Sequence, residues 1–183
     1  MLAALVMVVL AADPGPKVGS VAPALKVRAV ATDAVVDLMA DRKGSPTVVV
    51  LVRSEKFNRP LARGLKELDR ESFRKNPDAR VLMVFLAKDT AMWRDRLVLV
   101  NKSLQLDNTT LGVTDEDKLM NDWAARSEDA LTVVVVHEGK VVRGFGYRDS
   151  ATEQEARDVV AVIPKAGSGS AALCGRLFPF RRG

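Results

Sequence analysis

Only one cysteine, Cys174, occurs in the 183 residues. No disulfide can form within the chain, and no metal cluster can be built from its thiolates. Histidine is as scarce: His137 stands alone, which excludes a histidine-rich zinc site and leaves only carboxylate binding of a hard cation open. Aromatic residues make up 5% of the chain, so platforms on which bases could stack are few. Acidic residues are interspersed among the basic ones almost everywhere, so the net charge of +5 does not argue for a nucleic-acid partner. No apolar run is long enough to cross a membrane, since Leu2–Leu10 falls well short of the ~20 residues a spanning helix needs. A glycine-rich phosphate cradle is also missing: Gly144 and Gly146 merely flank Phe145.

What is present suits a folded domain. The chain is 48% apolar and 28% charged, and its length buries enough surface for one core without disulfides or metals. The run Leu2–Leu10 is followed by Ala11-Ala12 and the turn-rich Asp13-Pro14-Gly15-Pro16. A short apolar region, a small-residue cleavage site and a mature start near Asp13 form the pattern of a secretory signal over residues 1–12, although no Lys or Arg precedes the run. The expectation is an exported protein, periplasmic or extracellular, with no stable membrane insertion once the signal is cut. A buried N-terminal strand is the alternative. Residues 17–165 then form the domain, and residues 166–183, rich in Gly and Ser at their start, a flexible tail that carries Cys174.

Three runs read as strands buried on both faces: Thr47–Val52, Val81–Ala87 and Leu131–Val136. Leu25–Val30 alternates and reads as a strand with one wet face, while Val136–Arg143, two apolar stretches around a glycine, reads as a hairpin. Helices fall between them. Pro60 opens one, with Leu61, Leu65, Leu68 and Phe73 as its apolar positions, and Asn76-Pro77-Asp78 ends it. Trp93, Leu97, Val100 and Leu104 make the stripe of a second. Thr114 with Asp117 predicts the start of a short third, and Thr152 with Glu155 caps a fourth that Pro164 closes. Buried strands alternating with helices predict an α/β fold.

This order of elements resembles the thioredoxin fold, in the branch of thiol-disulfide oxidoreductases and peroxiredoxin-like proteins. Val18–Leu25 is similar to that branch's usual opening before its first strand. After the strand Thr47–Val52, Phe57-Asn58-Arg59-Pro60-Leu61 is similar to the Trp-Cys-x-Pro-Cys segment, with an aromatic and the proline kept and with Asn58 and Leu61 at the cysteine positions. Leu131, before Thr132, stands where the branch places a cis-proline, and Glu138–Val142 matches its hairpin. The resemblance covers residues 17–165. It implies a central mixed sheet of about five strands flanked by helices, ending in a β-hairpin and a C-terminal helix. It also implies a degenerate active-site edge of Phe57, Asn58, Arg59, Pro60, Leu61, Leu131 and Thr132, beside which polypeptides lie; the alternative is that Phe57 and Leu131 turn inward and close the old groove.

Thiol exchange needs a thiolate and a second sulfur to resolve the mixed disulfide. Asn58 is no nucleophile at neutral pH, and Leu61 has no chemistry. The expectation is therefore a redox-inactive module, with no catalytic residue, cofactor or metal, that binds a protein or peptide at that edge. The alternative is a thiol-dependent oxidoreductase or peroxidase-like enzyme acting through a non-standard site or Cys174. Against it, Cys174 lies in the tail, whereas a reactive thiol wants a helix start beside a cation.

Other groups read more plainly. His137, beside a turn, is an ordinary hairpin residue, and Asp115-Glu116-Asp117 lacks the glycine and spaced carboxylates of a calcium loop. The basic set Arg53, Lys56, Arg59, Arg63 and Lys66 leaves two readings open. It is either a solvated face balanced by Glu55, Glu67 and Asp69, or a functional patch around the lost site, since Arg59, Arg63 and Lys66 share a helix face.

Overall fold

The protein is described from a computed structural model, which covers residues 14–40, 42, 44–149 and 152–165, with the backbone alone for 116–118. The signal-like run, Cys174 and the tail lie outside the described residues. The strands are β1 (Lys26–Ala29), β2 (Val35–Asp37), β3 (Thr47–Arg53), β4 (Arg80–Leu86), β5 (Thr109–Thr114), β6 (Leu131–His137) and β7 (Lys140–Tyr147). The helices are α1 (Arg59–Lys75), α2 (Thr90–Leu104), α3 (Glu116–Asp122) and α4 (Glu153–Ala161). All seven strands form one mixed sheet in the order β2-β1-β5-β4-β3-β6-β7.

Every residue of β3 is buried, as its continuous apolar run Val48–Val52 leads one to expect. It pairs in parallel with β4 and antiparallel with β6. Strand alternation divides its side chains between two cores. Val48, Val50 and Val52 pack with Leu61 and Leu65 of α1, Leu97 of α2 and Val159 of α4. Val49 and Leu51 pack on the other face with Leu25, Met39, Leu119 and Trp123. The sheet holds two more strands than the five expected, namely β2 and β5, and the α/β mixed-sheet class is unchanged.

Local chemistry explains the ends. Thr152 and Glu155 form a reciprocal capping box on α4. Asn76 ends α1: its Nδ2 donates to Pro164 O (2.9 Å) and its Oδ1 accepts from Asp78 N (2.9 Å). Two readings change. Phe73 is 41% exposed, because a step of five from Leu68 turns it off the buried face, and Ser72 takes the inward position at 1%. Thr114 closes β5, and α3 starts at Glu116. Glu138 and Gly139, both at positive φ (51° and 72°), make the two-residue β6–β7 turn. Gly144 is needed for a different reason. A side-chain carbon there would overlap the carbonyl of Pro14, so glycine lets residues 14–15 lie across β7.

Candidate functional site

The carboxyl end of β3 runs through a 3₁₀ turn (Ser54–Lys56) into α1, and β6 begins beside it. Asn58 is the N-cap of α1: its backbone is extended (φ −138°, ψ 175°), and its side-chain oxygen accepts from Leu61 N at 2.9 Å. Pro60 sits in the first turn, where its missing N–H costs nothing. Leu61 points the other way, fully buried among Val50, Val52 and Leu65. The two positions that the resemblance sets against the cysteines thus hold a cap and a core residue.

Phe57 is half-buried. Its ring meets Phe85 edge-on (centroids 5.2 Å, 76°) and Trp93 likewise (6.1 Å, 83°), while Phe85 and Trp93 stack at 5.5 Å. Leu131 (1% exposed) faces the α1 core, and Thr132 (3%) is also buried. The candidate edge is therefore divided. Asn58, Arg59 and Pro60 are exposed and Phe57 partly so, whereas Leu61, Leu131 and Thr132 present no surface.

The loop before β6 is tied to the end of β3. Arg53 Nη2 donates to Arg126 O (3.3 Å) and contacts Met120 Sδ (2.9 Å), and Lys56 Nζ donates to Glu128 O (2.6 Å). In this loop lies Asp129, which the sequence did not single out. It is 5% exposed, and its Oδ2 has no hydrogen-bond partner among the described residues. Gly146 leaves it room, since a side-chain carbon there would overlap Oδ2. Burial, with Glu128 adding to it, holds the Asp129 carboxyl above the usual carboxylate range against the pull of Arg126, Arg148 and Lys56. A folded-state pKa above the unfolded value means that ionisation weakens the fold. The contribution of this group to stability is fully present below the ordinary carboxylate range and is lost as pH rises through the raised folded value. Asp129→Asn is therefore expected to stabilise the protein at neutral pH by about 1 kcal/mol, the low end of the cost of an unmet buried group. Thermal melts at pH 7 should show a midpoint a few degrees higher, and the gain should vanish in acid.

Among the described residues no cysteine is present, and no group of three or more His, Cys, Asp or Glu could hold a metal ion. No described helix is long and apolar enough to cross a membrane. What the site offers is surface: a cleft of about 290 Å³ between α1 and α2, lined by Phe57, Arg59, Ala62 and Arg63 on one side and Val100, Ser103 and Leu104 on the other. The sequence pointed to Phe57 and the arginines, but not to the α2 wall that completes the cleft.

No family model matches the chain, and no curated protein matches it. Solved structures do. A candidate thiol:disulfide interchange protein DsbE from Chlorobium tepidum is 15% identical, with a TM-score of 0.61, over 81% of this chain and 99% of that one. A secreted thiol-disulfide isomerase from Corynebacterium glutamicum is 12% identical, with a TM-score of 0.61, over 77% of this chain and 81% of that one. A peroxiredoxin-like protein from Aquifex aeolicus is 15% identical, with a TM-score of 0.55, over 82% and 90% respectively. At such identities the likeness is one of fold.

Proposed function

We propose that this chain, whose fold is thioredoxin-like, works by holding another polypeptide rather than by exchanging disulfides, and that it does so in the cell envelope. The observation that carries the reading is the hydrogen bond from Leu61 N to the Asn58 side chain, at 2.9 Å. A thiolate at a helix start is made reactive by that positive end. Here a neutral amide oxygen takes the helix N–H instead, and the resolving position is a leucine sealed in the core. Both positions serve folding, and neither carries a thiolate or other nucleophile able to attack a disulfide. Export is supported by the signal-like run Leu2–Leu10 and by likeness to a protein described as secreted.

Purified protein is expected to reduce no insulin disulfide with dithiothreitol, and to consume no hydrogen peroxide, above background. The Cys174→Ser variant should give the same baseline. Turnover in the natural protein that disappears in Cys174→Ser would overturn the binding role and establish a one-cysteine enzyme.

A further inference from the structure

We propose that the groove between α1 and α2 binds an acidic polypeptide segment that sets an apolar side chain over Phe57. This names the partner chemistry for the binding role above and rests on it.

The charge on the α1 side of the groove is uncompensated. Arg59, Arg63 and Lys66 follow one another at helical spacing on the exposed side of α1. Among the described residues none of the three has an ion pair or a side-chain hydrogen bond. The acids that sequence proximity offered them are committed elsewhere. Glu67 pairs with Arg70 (2.9 Å), Glu71 with Arg74, and Asp69 is buried, accepting from Thr109 Oγ1 (2.6 Å) and Asn108 N (3.2 Å). Glu55 is exposed and pairs with none of them. The cations also stand at the wrong end of their helix. The first turn of α1 holds no acid, so the positive end of the helix dipole adds to Arg59, with Arg63 one turn on, instead of being offset. A fold with no use for this charge gains nothing by keeping it there.

Apolar surface lies beside these cations. Phe57 lines the cleft on the α1 side, and Val100 and Leu104 form its far wall. Along α2 the apolar surface continues outside the cleft: Leu99 is 67% exposed and Met92 53%. These two residues are seven apart and so share a face, with Arg96 between them lying over the Trp93 ring at 4.6 Å. From Met92 to Ser103 the helix rises ~16 Å. Aromatic, methionine and arginine side chains are those enriched at protein interfaces. A lipid headgroup would satisfy the cations but not a stripe of this length. The chain's own tail, with Arg176, Arg181 and Arg182, carries the wrong sign. An acidic segment with large apolar anchors meets both features.

The proposal is tested with full-length protein and four probes. They are a labelled 16-residue amphipathic peptide with Leu and Phe on one face and Glu on both flanks, its twin with Lys for Glu, its twin with Ser for the apolar residues, and phosphatidylglycerol vesicles. The Glu peptide should bind at least ~10-fold more tightly than either twin, and added salt should weaken it. Arg59→Glu with Arg63→Glu should lower that affinity ~10-fold or more without lowering the melting midpoint, because acids suit a helix start. Leu99→Ser should weaken it severalfold, and Arg70→Glu, farther along α1, should not change it. The proposal is overturned if the Glu peptide fails to bind, if the Lys twin binds as well, if the double reversal has no effect, or if vesicles are retained and the peptide is not. Redox turnover in the same preparations would count against the non-enzymatic reading, whereas peptide failure with no turnover would remove this proposal alone.

Discussion

Phe57→Ala is expected to destabilise the protein by about 3 kcal/mol, the lower end of the cost of removing a packed phenylalanine. In a chain of this size that lowers the melting midpoint by ~6–12 °C. The lower end applies because the ring is only half-buried. The loss is nevertheless large, because Phe57 is the edge-on partner of both rings in the Phe85–Trp93 stack. Without it, Trp93 loses a neighbour at the start of α2, and the α1–α2 cleft loses its aromatic lining. Phe57→Leu should recover much of the stability, since it restores volume but not the edge-to-face contacts. Urea or thermal denaturation of the two variants checks this. A Phe57→Ala protein as stable as the natural one would mean that the ring serves the surface alone.

The parts of the fold that were legible in the sequence are those that bury themselves. β3, β4 and β6 are continuous apolar runs because they are covered on both faces, and α2 announces itself through Trp93, Leu97, Val100 and Leu104. β2 and β5 were not legible. β2 has three residues, and β5, Thr-Thr-Leu-Gly-Val-Thr, has no run and no clean alternation. What makes β5 a strand is its place between β4 and β1, where Gly112 lets Val27 come close; a side-chain carbon there would lie 2.5 Å from Val27 Cγ2. That is information about neighbours, which local sequence does not carry.

The site divides in the same way. Asn58 and Pro60 at a helix start were legible, and the structure adds what Asn58 does there. The resemblance set Leu131 and Thr132 beside an open edge, with an inward turn of Leu131 as the alternative. The first residues of β6 lie between β3 and β7, however, and both side chains are covered. The basic set was ambiguous because charge balance along a chain says nothing about pairing. Asp69, three residues from Lys66, is bound to Thr109, forty residues on. Asp129 gave no sequence signal, since its burial depends on Gly146 making room across the sheet.

If Asn58 and Leu61 stand where the fold carries its two thiols, an engineered bond between them should form readily. In a Cys174→Ser background, Asn58→Cys with Leu61→Cys should give an intramolecular disulfide under mild oxidant. The N-cap and third residue of a helix place their α-carbons within the ~4.4–6.8 Å that a disulfide tolerates. Losing the cap costs ~1 kcal/mol and shrinking Leu61 ~2 kcal/mol, which a domain with an ordinary margin of ~5–15 kcal/mol survives. The measurement is the mass and free-thiol count of the monomer, beside its circular dichroism. The predicted result is a folded monomer two mass units lighter with no free thiol. A folded protein that keeps both thiols free, or that oxidises only between molecules, would contradict the placement of Asn58 and Leu61 at the lost thiol positions.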